Sequence, residues 1–267
     1  MADKPTHRSR REAPLWLIAC ASLFGGACFK GEEVPYSSGV PGMPDPMPGQ
    51  AALAGAVRDG SGQPIAGATV KIAETDATTT TDPSGAYQLT VPSDSTLTLF
   101  AQAAGMATTY RDAVMLASGA SLGGYDLDLV PAAQIDSMNA LGPSGQTTGR
   151  GAVALRLHSM SAGCVLPGAR VSVFPADAAM VVYSSPAAPG SALDMPDPGV
   201  TAVQSGTRIE AWLVSALPPG NMNLLQIQVQ QNGCQLMDQS PSLNGLTFVG
   251  ERRVAAESLT ETDLFLH

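Results

Sequence analysis

From residue 51 onward, apolar and polar residues alternate in short runs that Gly, Pro, Asp and Ser interrupt, which is the signature of β-strands joined by tight turns. Leu53 to Val57 reads as a strand, and Ala68 to Ile72 as another. Tyr87, Leu89 and Val91 share one face of a third, because side chains on a strand alternate from face to face. Leu97, Leu99 and Ala101 continue the pattern, and Tyr125-Asp126-Leu127-Asp128-Leu129 predicts a closing strand with its carboxylates toward water. Long runs with the 3.6-residue helical period are missing, so the pattern predicts an all-β protein.

The turns are written in residues with a mechanical reason to be there. Asp59-Gly60-Ser61-Gly62 and Thr81-Asp82-Pro83-Ser84-Gly85 combine Asp, which bonds its own backbone, with Gly, which accepts positive φ. After a Pro/Gly/Ser-containing linker at 131–149 the pattern returns: Gly151-Ala152-Val153 echoes Gly55-Ala56-Val57, and Gly168-Ala169-Arg170-Val171 echoes Gly67-Ala68-Thr69-Val70. The ends agree too, since Asp263-Leu264-Phe265-Leu266 parallels the strand that closes at Leu129. Two small domains are therefore expected, 51–130 and 150–267, the second a diverged copy with longer loops, especially at 184–206.

The string Gly55-x-Val57, Asp59, Gly62, Pro64-Ile65, Gly67-Ala68-x-Val70, followed by Thr81-Asp82-x-x-Gly85-x-Tyr87 and Val91-Pro92, resembles the carboxypeptidase regulatory-like domain. That resemblance implies a Greek-key sandwich of the transthyretin (prealbumin-like) type over 51–130. It implies little about activity, because one fold serves many functions and this module accompanies enzymes, transporters and surface proteins alike.

The N-terminal segment reads as an export signal over 1–27. A basic stretch with Arg8, Arg10 and Arg11 precedes an apolar run from Leu15 to about Phe24, too short to span a bilayer in the ordinary way. Phe24-Gly25-Gly26-Ala27-Cys28 resembles the lipobox of bacterial lipoproteins, with Gly25 where Leu is usual, and this implies that Cys28 is lipidated. Leu17-Ile18-Ala19-Cys20 fits the letters of the motif but leaves a shorter apolar run, and a plain secretory signal cleaved near Ala27 is the remaining alternative. Residues 28–50 carry Pro35, Pro41, Pro44, Pro46 and Pro48 and read as a tether, about 25 Å long as a flexible coil. Phe29 after the cysteine, with Asp absent there, implies sorting to an outer membrane in a two-membrane cell.

Charge and chemistry narrow the function further. The 267-residue chain has formal net charge −9; loss of 1–27 removes four basic and two acidic side chains and leaves 10 against 21, a net charge of −11. Such a surface repels phosphate backbones, so nucleic acid is not expected as a partner. No His-x-x-Glu pair or phosphate loop with its Lys occurs, the Gly-x-Ser and Ser-x-Gly strings read as turns, and a catalytic zinc would need about three protein ligands. No catalytic residue, metal or cofactor is therefore expected: His158 reads as a solvated loop residue, Asp59, Asp76 and Asp82 as turn residues with calcium the alternative, and Trp212 as a core side chain. Cys164 and Cys234 remain after export and lipidation, and an exported chain matures where disulfides persist, so they are expected to pair.

The function expected is non-enzymatic: a lipid-anchored envelope or surface protein whose sandwich modules bind or adhere, with a membrane contact through the lipid and an envelope protein or a glycan as ligand. The alternative is a structural or accessory subunit of an envelope transport or secretion assembly. Loops 74–86 and 184–206 are the expected contact surface, since binding on rigid sandwiches resides in loops.

Overall fold

The computed structural model describes residues 45–267 apart from 112–113, 143–144, 146–147, 175–178, 187–193, 208, 217–225, 231–246, 249–253 and 267. The export segment, Cys28, most of the tether and Cys234 thus lie outside the described residues. In chain order the strands are β1 (Gln50–Asp59), β2 (Thr69–Ile72), β3 (Thr78–Thr80), β4 (Ala86–Pro92), β5 (Thr96–Leu97), β6 (Leu99–Gln102), β7 (Thr108–Arg111), β8 (Val114–Met115), β9 (Ser121–Leu122) and β10 (Leu127–Leu129). A helix, α1 (Ala132–Asn139), follows, and then β11 (Gly151–Ser159), β12 (Arg170–Phe174), β13 (Met180–Tyr183), β14 (Ala211–Ala216), β15 (Gln226–Gln230), β16 (Thr247–Phe248) and β17 (Ser258–Leu266). The all-β architecture of packed sheets expected from the alternation is the one observed.

One eight-stranded sheet runs through the chain in the order β13-β14-β11-β17-β7-β6-β2-β3. Its centre is the parallel pairing of β17 with β7, Leu259 opposite Thr109, and with β11, Thr260 opposite Val153. Because side chains alternate along each strand, the registers sort the residues between two faces. Val70, Ala101, Thr109, Leu259, Ala152 and Trp212 fall on one face, and Val153, Leu213 and Thr260 on the other.

The two faces are covered by different halves. A second sheet, β10-β1-β4 with β9 beside β1, closes the first core, in which Leu53, Val57, Val70, Leu89, Leu99, Leu127 and Leu129 are buried together. The β12–β15 pair belongs to the second core on the opposite face, where Val153, Leu155, Leu213, Val171, Ile227 and Leu264 meet. The sequence echo between halves has a counterpart here: β1 pairs in parallel with β10, and β11 in parallel with β17. Strand β16 pairs with β8, which also pairs with β5.

The connection at 131–149, expected to be loop-like, contains α1 instead. Its eight residues could not hold a helix in isolation, since nucleation is costly and short helices are marginal in water. Ile135 and Met138, three apart and so on one face, are 1 % and 2 % exposed and pack with Trp212, Ala154, Val214 and Leu259 in a third core. Asn139 secures the end: its Oδ1 accepts from the Ser215 backbone N–H at 2.8 Å, and its Nδ2 donates to the Arg150 carbonyl. Trp212 is fully buried, as expected, and donates from Nε1 to Ser184 Oγ and to the Asp194 carbonyl, both at 3.0 Å.

Candidate functional site

The turn residues singled out by sequence are fold-building parts. Asp59 Oδ1 accepts from the Ser61 N–H, the Ser61 hydroxyl and the Gln63 N–H, at 2.7–2.9 Å. Asp82 repeats this with Ser84 and Ala86. Partial burial acts to raise the Asp59 carboxyl, but the hydrogen bonds from Ser61 and Gln63 outweigh it and hold it below the usual range; at Asp82 the Ser84 hydroxyl and the Ala86 N–H do the same. Gly62, Gly67 and Gly85 have positive φ, where glycine is the least strained residue. Pro64 bridges to Arg58 across the first turn.

Gly55 and Tyr87 form a lock of their own. An added Cβ at Gly55 would overlap the Tyr125 carbonyl oxygen and lie 2.6 Å from its carbon and 3.0 Å from the Tyr87 hydroxyl. That hydroxyl donates to the same Tyr125 carbonyl, and burial pushes its own ionisation upward. Beside the lock lies an open groove of about 520 Å³, lined among others by Thr79 and Thr80 of β3, Gln88 of β4, and Arg58, which pairs with Asp126 at 2.9 Å. Loop residues from 74–86 border it through Asp82.

The densest chemistry is elsewhere, in a buried ionic cluster where the halves join. Arg156 on β11 donates from Nη2 to Glu261 Oε1 at 2.9 Å and to Asp128 Oδ2 at 3.2 Å. Arg111 on β7 pairs with Asp263 at 3.3 Å, donates to the Asp126 carbonyl, and lies with its guanidinium carbon 4.5 Å from the Tyr125 ring centroid. His158 Nε2 sits 2.7 Å from Asp263 Oδ1. Two corrections to the sequence reading follow. His158 stands on β11 and engages a carboxylate, and Asp128 is 7 % exposed, not turned to water.

The physical reason is the register. Arg156 and His158 share a face of β11 with Ala152 and Ala154, Glu261 and Asp263 share one of β17 with Leu259, and Arg111 lies opposite Glu261. The apolar ends of these rows sit under α1, and the charged ends meet Asp128 of β10. Burial pushes the Glu261 carboxyl up to about 7, against the pull of Arg156. Asp263 goes the other way: although burial opposes ionisation, the bond to His158 and the charges of Arg111 and Arg156 bring it down to about 2. Glu210, preceding β14, is raised by burial while its Oε2 accepts from the Leu157 N–H at 2.8 Å.

Sequence reasoning missed Arg111, Arg156, Glu261 and Asp263 because charged residues in strands normally mark a solvated face. The signal available was strand length: β11 and β17 have nine residues each and are apolar on both parities at one end, as strands covered on both faces are. Among the described residues no group of three or more His, Cys, Asp or Glu is arranged to hold a metal ion. Cys164 is buried at 4 % in the second core, and Cys234 lies outside the described residues.

No curated protein matches the chain. Among solved structures, a type II cohesin–X-dockerin complex of Acetivibrio cellulolyticus is 18 % identical over 29 % of this chain, which spans about half (51 %) of that chain, with TM-score 0.21. The Bacillus anthracis TIE protein is 12 % identical, covering 82 % of this chain and 34 % of that one, TM-score 0.24, and a shaft pilin of Lactobacillus rhamnosus GG is 11 % identical, covering 82 % and 98 %, TM-score 0.20. Residues 52–130, which run from β1 to the end of β10 and carry the Gly55–Tyr87 lock, match the carboxypeptidase regulatory-like domain.

Proposed function

We propose that the protein is a non-enzymatic, lipid-anchored envelope protein in which the regulatory-like module and the half fused to it act as one stiff binding or adhesion unit. The observation that carries this reading is the eight-stranded sheet: parallel pairing of β17 with both β7 and β11, reinforced by the buried ionic cluster, couples the halves as a spacer or presenting scaffold needs. The anchor is Cys28, with the proline-containing segment to residue 50 as tether and the outer membrane as destination. The contact surface is the groove beside loop 74–86, whose polar walls suit an envelope protein or a glycan. Cys164 and Cys234 close a disulfide over the second core, consistent with the burial of Cys164; it would stabilise by about 4 kcal/mol in the chain-entropy model.

The deciding experiment is expression of the full chain and of Cys28→Ala in a two-membrane bacterium. The native chain is expected in the membrane fraction with an acylated N-terminus and the variant in soluble form, because each buried methylene of an acyl chain contributes about 0.8 kcal/mol. Equal membrane partition of both would overturn the anchor. Cross-linking in intact cells then reports the contact: glycan or peptide capture supports a binding unit, whereas a stoichiometric envelope complex supports the accessory-subunit alternative. Non-reducing peptide mapping should recover Cys164 linked to Cys234, and free thiols at both would refute the pairing.

A further inference from the structure

The ionic cluster at the junction has an odd charge count. Two guanidinium groups, Arg111 and Arg156, face three carboxyls, Asp128, Glu261 and Asp263, with His158 as the remaining titratable member. Two guanidiniums against three ionised carboxylates leave one net negative charge, which a proton on Glu261 cancels. A net charge in a water-excluded site is costly, so the site favours holding that proton.

Geometry names the place where the proton can reside. Glu261 is fully buried, its Oε1 takes the Arg156 bond, and its Oε2 has no hydrogen-bond partner among the described residues. An ionised carboxylate with an unpartnered oxygen is disfavoured there relative to a neutral acid. His158 has 43 % of its side chain exposed and touches Asp263 two residues along β17, so it connects the cluster to water. The other groups around the site are otherwise engaged: Asp126 pairs with Arg58, Glu210 accepts from Leu157, Asp194 accepts from the Ile209 N–H, Tyr87 donates to the Tyr125 carbonyl, and the Tyr125 ring stacks on Arg111.

We propose that this cluster is a pH-responsive joint: one exchangeable proton on Glu261 keeps β17 clamped to the first half through β7, and its release to solvent loosens that clamp. The proton leaves to water and returns from it, and the change falls on the strand whose pairing with β7 joins the two halves and whose pairing with β11 fixes it in the second. The direction is fixed by Glu261. Its folded value, near 7, stands above its ordinary 4.5, so its contribution is fully present below about 4.5 and is lost as pH rises through about 7. The joint is tight in mildly acidic surroundings and looser in alkaline ones. This inference rests on the fold and is independent of the anchor and of any ligand.

Hydrogen exchange on the mature chain tests it. Protection factors of the β17 amides, corrected for the intrinsic rate, are expected to fall about tenfold between about pH 6 and about pH 8.5, and Glu261→Gln is expected to abolish that fall. A flat profile in the native chain, or an undiminished fall in Glu261→Gln, overturns the proposal. Should Glu261→Gln fail to fold, infrared spectroscopy of the native chain decides: a carboxylic-acid band that disappears as pH rises through about 7 supports the joint, and absence of such a titrating band overturns it.

Discussion

Replacing Arg156 with Met is the sharpest test of what holds the halves together. The substitution keeps the length and packing of the side chain along β11 and deletes the guanidinium that serves Glu261 at 2.9 Å and Asp128 at 3.2 Å. All three side chains are well buried, at 17 %, 0 % and 10 % exposure, so water screens the pairs little. Removing one member of such a set leaves the others buried without compensation, which costs about 3–5 kcal/mol. Glu261 can escape part of this cost by taking up a proton, because its carboxyl already titrates near 7, so the loss should be larger at alkaline than at mildly acidic pH. For a chain of this size the loss corresponds to a melting point lower by roughly 10 °C. Urea unfolding of the mature chain, followed by far-ultraviolet circular dichroism at two pH values, measures it. In Arg156→Met with Glu261→Gln the Glu261 charge is gone while that of Asp128 remains, and the double variant should recover part of the stability. A single-variant loss below about 1 kcal/mol, or a double variant no more stable than the single, would refute the reasoning.

The remaining predictions concern the lock and the acid limb. Gly55→Ala should destabilise by about 3 kcal/mol, combining overpacking against the Tyr125 backbone with loss of the Tyr87 hydroxyl bond, whereas Gly67→Ala should cost about 1 kcal/mol from its positive φ alone, since a Cβ there meets nothing within 4 Å. Thermal melts in which Gly67→Ala proves the more damaging would count against this account. Asp263, held near 2 in the folded chain against an ordinary 3.8, contributes stability above about pH 4 that is lost as pH falls through about 2. Asp263→Asn should therefore remove about 2 kcal/mol of the acid-induced loss in that range, and an acid unfolding curve unchanged in slope would contradict it.

The chain by itself determined the class of fold, and it did so through local rules. Alternation over four to nine residues is enough to specify strands such as β1 and β4, and the Asp-x-x-Gly turns at Asp59 and Asp82 close within a few residues, so each feature is complete in a short window. Trp212 was legible as a core residue for the same reason, being set in an apolar strand. The carboxypeptidase regulatory-like stretch was readable because its glycines are demanded by backbone geometry that no other residue satisfies equally well, as at Gly55 and Gly85.

Which faces meet is set by long-range packing. Arg111 reaches Asp263 across 152 positions of sequence, and β7 aligns with β17 through a parallel pairing that no turn specifies. Helix α1 exists because a hydrophobic floor formed by Trp212, Ala154 and Leu259 is there to receive Ile135 and Met138, and a short segment has no such floor in the unfolded chain. Charged positions in a strand look alike in sequence whether they face water or another strand. Asp126 and Asp128 differ by two residues and share a parity, yet one reaches the exposed Arg58 and the other the buried Arg156, because the burial of a charge is set by what packs over it and not by its own neighbours in the chain.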